Sequence, residues 1–173
     1  PREHEERVAI IFRRSREKVA GWFGARILAS LYVGAVAFLI FLLLGAHYAF
    51  ILALLAGVLN FIPFVGPAVV LVIAAVSIGV TDSWILALYA VIALLIIQES
   101  ENKLLTPMLM KKFMNIPPVL VLLALLVGGT LFGFLGMIFM IPVVGIAYEF
   151  IKEFLEKRKE GTFPTAVLAE PPQ

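Results

Sequence analysis

The sequence predicts an all-α fold: a polytopic integral membrane protein with two full spans, two re-entrant helical hairpins and amphipathic flanking helices. Three observations carry that reading. Of 173 residues, 62% are hydrophobic and 15% charged, against roughly 45–50% and about 25% in a soluble domain, and mean hydropathy is +1.03. From Ile27 to Gln98 the only formal charge is Asp82, and from Phe113 to Tyr148 there is none. A soluble fold of this size lacks the interior to hide two such stretches. Finally, two of the apolar segments are interrupted at their centres by proline and glycine.

Residues 1–26 read as an interfacial helix. Val8, Phe12, Val19 and Phe23 recur near helical spacing among Arg7, Arg13, Arg14, Arg16 and Lys18, a pattern that suits a headgroup surface with Trp22 at its depth. A helix packed on preceding sequence is the alternative. The chain begins at Pro1 rather than Met, and upstream sequence is expected.

Residues 27–148 form the predicted transmembrane domain. Ile27–Ala46 is long enough for one span, which needs ~20 residues. Tyr48–Leu59 and Ala68–Val80 are shorter, about a dozen residues each, or ~18–20 Å as helices. Neither crosses a core of ~30 Å. Asn60-Phe61-Ile62-Pro63-Phe64-Val65-Gly66-Pro67 separates them. Pro63 and Pro67 remove donors and stiffen the turn, and Gly66 allows positive φ. The economical reading is a re-entrant hairpin with its tip near 60–67, tolerated only if protein or a wet cavity surrounds it.

Asp82 or Ser83 can cap the helix that starts at Trp84. That helix runs through Ile97 and on into Gln98–Asn102, and a basic loop follows with Lys103, Lys111, Lys112 and Pro107. Val119–Val127 then opens a second hairpin, with its tip near 128–136 and a return through Pro142 to Tyr148. Residues 149–160 read as a cytoplasmic amphipathic helix and 161–173 as a disordered tail. Leu52–Gly57 faintly echoes Leu123–Gly128, each just before a tip, and paired interruptions of this kind point to transporter binding sites.

Basic residues set the orientation. With Arg13–Arg26 in the cytoplasm, Lys103, Lys111, Lys112, Lys152, Lys157, Arg158 and Lys159 fall on the same side, and Thr81–Ser83 on the other. Both ends of the chain are then cytoplasmic, in a multi-pass protein of the cell inner membrane. The hairpins enter from opposite faces. Four extra spans in their place would give the same parity.

Enzymatic constellations are missing from the sequence. Zero cysteines exclude disulfides, zinc knuckles and thiol catalysis. His4 and His47 lack metal-ligand spacing, and no phosphate loop is present. No catalytic residue, metal ligand or cofactor is expected. The net charge of +2 forms no basic stripe, so no nucleic acid is expected either. The expected partners are the lipid bilayer and a small polar solute or monovalent cation.

The few polar groups are the candidate site. Asn60, at the first tip, can hold a polar solute or cap loose carbonyls. Gln98 is three residues from Glu101 and four from Asn102, so the three share a helix face. A carboxylate near low dielectric can alternate between cation and proton, which makes Glu101 the ion-coupling candidate, ahead of Glu99. The plainer alternative is a solvated helix end pairing with Lys103 or Lys111. Gly129 and Gly133 form a small-xxx-small pattern for close packing, with a flexible gate as the second reading.

The stretch Asn60–Pro67 resembles the N-F-I-P-[YF]-[IV]-G-P signature of the autoinducer-2 exporter family of bacterial and archaeal permeases. Gln98, Glu101 and Pro107 fit its Q-x-x-E-x-x-x-x-x-P segment, and Gly128–Met137 fits G-G-x-L-F-G-x-x-G-M, with Ile141-Pro142 closing the pattern. The resemblance runs from about Trp22 to Phe154 and implies the C-terminal half of a transporter. Lys111 and Asn115 stand where relatives often carry glycine, and Pro117 where they carry histidine.

The resemblance implies transport of an autoinducer-2-like solute, or sodium/proton antiport, by a homo-oligomer, with a pentamer as the candidate size. Gate residues are expected at Asn60, Phe61, Pro63, Gly66, Pro67, Gly128, Gly129, Gly133 and Gly136, and ion coupling at Glu101, Gln98 and Asn102. A channel-like or structural oligomer is the reading from another class.

Overall fold

The computed structural model describes residues 2–110 and 116–160. The side chains of Val8 and Phe12, the loop residues Lys111, Lys112 and Asn115, and the expected tail 161–173 lie outside the described residues. Every regular element among the described residues is helical. The chain divides into two units, 1–115 and 116–173.

The first unit opens with α1 (Arg2–Leu43), which passes the expected boundary at Arg26 and Ile27 without a break. Its buried face is a ladder of mostly small residues: Trp22, Ala25, Ala29, Val33, Ala37 and Phe41. Spacings of three and four keep them on one side. α2 (Ala49–Leu59) folds back against that ladder. At 11 residues it reaches only ~17 Å, short of the ~30 Å core.

The tip that follows differs from expectation in one detail. Positive φ falls on Phe64 (64°), not on Gly66. Val65 N–H donates to Pro63 O at 2.7 Å across Phe64, and with ψ of −54° this is the rare positive-φ form of the γ-turn. Gly66 is required for space instead, since a Cβ there would collide with the Leu59 carbonyl. The turn passes straight into α3 (Val65–Thr81), so this arm has 17 residues, more than the dozen expected. Pro67 lies in its first turn, where the missing donor costs nothing.

Ser83 caps α4 (Trp84–Ser100), its hydroxyl accepting from Leu86 N–H at 3.1 Å. Asp82 turns instead to His47, with Nδ1 and Oδ1 2.5 Å apart. That contact joins the α1–α2 turn to the α3–α4 turn. Helical structure continues past Ser100 as expected, and also past Asn102, where a loop was expected: a π-helical turn, Glu101–Leu105, leads into α5 (Thr106–Met110). Pro107 accounts for the widening. It has no N–H for the residue-103 carbonyl and its ring crowds that carbonyl, and a wider turn upstream relieves both.

In the second unit, α6 (Pro118–Glu160) is interrupted at Gly133, with φ 62° and ψ −142°. Gly128 and Gly136 lie against each other: a Cβ on either would collide with the other's carbonyl oxygen. Residues eight apart in a straight helix are ~12 Å apart along the axis, so the chain reverses here. The reversal falls within the expected tip 128–136 and separates arms 118–132 and 134–160. Ala124 and Leu125 on one arm and Ile141 on the other are buried.

Among the described residues, three stretches are long and apolar enough to cross a membrane: Ser15–Leu43, Trp84–Leu109 and Pro118–Lys152. The first takes in the predicted span Ile27–Ala46 as far as Leu43, the second contains Trp84–Ile97, and the third contains the Gly133 reversal. Apolar side chains such as Leu31, Phe50, Leu54, Val72 and Ile96 face outward, as lipid-facing helices require.

Candidate functional site

The buried face of α4 consists of Ala87, Ala90, Leu94 and Ile97. Continuing its alternation of three and four leads to Glu101. Helical phase therefore carries a carboxylate inward, where it is 2% exposed. Arg26 occupies the matching place on α1, one turn beyond Trp22, and is also buried. Its Nη1 donates to Glu101 Oε1 at 3.1 Å. Nη2 donates to Asn60 O at 2.6 Å, and Nε to Phe61 O at 3.3 Å.

One guanidinium thus holds a carboxylate on one helix and two main-chain carbonyls at the hairpin tip. Only arginine has this fork of donors. The pairing also answers two separate costs. A buried carboxylate without a partner is untenable, and the carbonyls at the end of α2 have lost their helical partners to the break.

The surroundings are part aromatic and part polar. Trp22 and Phe23 enclose the Phe61 ring, with centroids 6.2 and 5.9 Å away. Trp22, expected among lipid headgroups, is instead buried in protein at 3% exposure. Gln98 Nε2 stands 3.5 Å from Asn60 Oδ1, a contact at the limit of hydrogen bonding. Asn60 is buried, and its Nδ2 has no hydrogen-bond partner among the described residues. Ser100 donates to Ile97 O at 2.7 Å. Tyr32 O–H therefore donates to the Ser100 hydroxyl, at 2.8 Å, as a second polar tie between α1 and α4.

The structure joins Asn60, Phe61, Gln98 and Glu101 in one site and sets Asn102 apart. Asn102 is exposed: one residue beyond Glu101, it is turned roughly 100° from the buried face. The solvated pairing with Lys103 belongs to Glu99, at 2.7 Å, and not to Glu101. Pro63, Gly66 and Pro67 shape the tip. Gly128, Gly129, Gly133 and Gly136 shape the turn of the second unit, where a Cβ on Gly129 would meet Met137.

Sequence reasoning missed Arg26 as a site residue, since it reads as the last member of a basic cluster preceding a span. Its signal was helical phase, four residues after Trp22 and on the face that continues through Ala29 and Val33. Among the described residues no group of three His, Cys, Asp or Glu could hold a metal ion.

A buried cation–carboxylate pair under a broken hairpin, enclosed by helices with apolar outer faces, defines a polytopic membrane protein with a polar internal site. The chain belongs to the AI-2E transporter family: the profile described as AI-2E family transporter matches residues 1–156. It is 35% identical over 140 residues to the candidate transport protein YueF of Bacillus subtilis (strain 168), covering 81% of this chain and 38% of YueF. Against the candidate transport protein YrrI of the same organism, identity is 32% over 160 residues, covering 92% and 45%. The AI-2 transport protein TqsA of Escherichia coli (strain K12) is 27% identical over 139 residues, covering 79% and 40%. The chain thus spans less than half the length of these relatives.

Proposed function

We propose that this chain forms part of a secondary transporter in the cell inner membrane that exports a small polar solute, coupled to movement of a proton or monovalent cation. The observation that supports this most is the Arg26–Glu101 pair lying directly beneath the broken tip that carries Asn60. Buried charge in a membrane helix marks solute and ion paths, and interrupted helices supply polar backbone at depth. Glu101 is the ion-sensitive group, with Gln98 beside it. Asn60, whose amide nitrogen is buried without a hydrogen-bond partner among the described residues, is the solute contact. The name of TqsA makes an autoinducer-2-like molecule the first cargo to test. Both ends of the chain are cytoplasmic in this reading, and the whole protein assembles as a homo-oligomer.

The test uses full-length protein in proteoliposomes, loaded with an autoinducer-2-type furanone under an imposed sodium or pH gradient. Saturable, gradient-dependent efflux that is lost in Glu101→Gln and weakened in Asn60→Ala is expected. Efflux that neither saturates nor follows a driving ion would reject coupled transport in favour of a channel-like oligomer.

Sodium/proton antiport is the second reading, favoured by the burial of Glu101 as a single carboxylate facing a single cation. It expects sodium-driven proton movement without added solute, lost in Glu101→Gln. Movement no greater than in empty vesicles would remove it.

A further inference from the structure

We propose that Arg26 transmits the charge state of Glu101 to the first hairpin tip, so that neutralising the carboxylate, or giving it another cation, releases the tip. This rests on the transport reading above for its physiological meaning, though not for its geometry. The same guanidinium contacts Glu101 Oε1, Asn60 O and Phe61 O at 3.1, 2.6 and 3.3 Å. Both tip carbonyls, Asn60 O and Phe61 O, are thus held across the bundle by this one side chain. A cation that takes the Glu101 carboxylate competes with Arg26 for it. Once its counter-charge is lost, a buried guanidinium is unstable where it lies, and its long stem lets the head move toward water. Its withdrawal frees both carbonyls together.

The tip is suited to respond. It is held in a strained positive-φ turn at Phe64, a conformation that persists only while its surroundings impose it. The tip is also anchored by the packing of Phe61 between Trp22 and Phe23, by the burial of Ile62 and by the long contact from Gln98 to Asn60. Arg26 is thus a positioning residue: it touches neither solute nor transported ion, and acts by placing the tip.

A merely structural Arg26 would pin the tip whatever the charge at Glu101, and Glu101→Gln separates the two roles. The chain has no cysteine, so a single Ile62→Cys in an otherwise cysteine-free full-length protein reports on the tip, where Ile62 is buried. Ala74→Cys, in the core of the same unit, serves as the control. Maleimide labelling at Ile62→Cys is expected to speed up on the order of 100-fold in Glu101→Gln, as befits an unpaired buried charge. Arg26→Lys should give a smaller increase, since an ammonium keeps the charge but not the fork. Ala74→Cys should stay slow in both. Unchanged labelling at Ile62→Cys in Glu101→Gln would overturn the proposal. Equal acceleration at Ala74→Cys would do so too, because Arg26 would then be holding the bundle and not the tip. Failure of transport with tip release intact would instead count against the function proposed above.

Discussion

Gly34 of α1 and Gly57 of α2 meet backbone to backbone: a Cβ added to Gly57 would stand 3.2 Å from Gly34 Cα and 3.0 Å from Ser30 O. Ala37 and Ala53 extend this stripe of small residues within the core. Without a hydrophobic driving force in lipid, packing of this closeness is what holds helices together. Gly57→Ala is expected to force α1 and α2 apart and cost about 1–3 kcal/mol, the usual range for overpacking. Gly24, with no atom near its would-be Cβ, is the control. Thermal unfolding in detergent should show a lowered Tm for Gly57→Ala and none for Gly24→Ala.

Glu99 and Glu101 are two residues apart and should behave very differently. Glu99 pairs with Lys103 across one exposed helix turn, both side chains more than half exposed, so Glu99→Gln should change stability by less than about 0.5 kcal/mol. Glu101→Gln strands Arg26 in the interior and should cost about 3–5 kcal/mol. Chemical denaturation of the two variants side by side checks this, and comparable losses would contradict the assignment of the buried pair.

The contact between His47 and Asp82 makes a prediction about pH. The hydrogen bond from His47, helped by Thr81, holds the Asp82 carboxylate below its ordinary range. A depressed carboxylate stabilises the fold fully above the ordinary aspartate value of about 3.9, and that contribution disappears as pH falls through the lowered value. Tm should therefore decline on acidification below about pH 4, less steeply in Asp82→Asn. In His47→Ala the Asp82 titration, followed by infrared spectroscopy, should move upward toward the ordinary value.

Gly133 tests the second hairpin. Its φ of 62° and ψ of −142° belong to a region reserved for glycine, and nothing crowds its would-be Cβ. Gly133→Ala should therefore cost about 1–3 kcal/mol through backbone strain alone. A loss of that size, with helix content preserved by circular dichroism, is the expected result. An unchanged Tm would mean that the reversal does not depend on this residue's conformation.

Much of this was legible in the sequence. Uncharged runs between Ile27 and Gln98 revealed the spans, and Pro63 and Pro67 marked the tip between α2 and α3, because these features follow from local chemistry. Ser83 was recognisable as a cap for the same reason. The Phe64 turn was not legible. A phenylalanine at positive φ is disfavoured by its own sterics, and only the surrounding fold imposes it. The exposure of Asn102 was not legible, because sharing a face with Gln98 does not put a residue on the buried stripe, and one step beyond Glu101 turns it roughly 100° away. Arg26 failed because a basic residue before an apolar run fits the positive-inside pattern equally well, and its partner lies 75 residues away.

That separation sets an order of events during synthesis. A ribosome adding roughly 5–20 residues per second delivers Glu101 about 4–15 s after Arg26. Until then α1 holds a guanidinium with no counter-charge, and the head has to seek interfacial water along the flexible stem. The first hairpin, already made, has no clasp for its tip during this interval. The site therefore closes only once the residue that follows α4 arrives, and a chain stalled before residue 101 would display an open tip and an unpaired arginine to the machinery that inspects nascent membrane proteins.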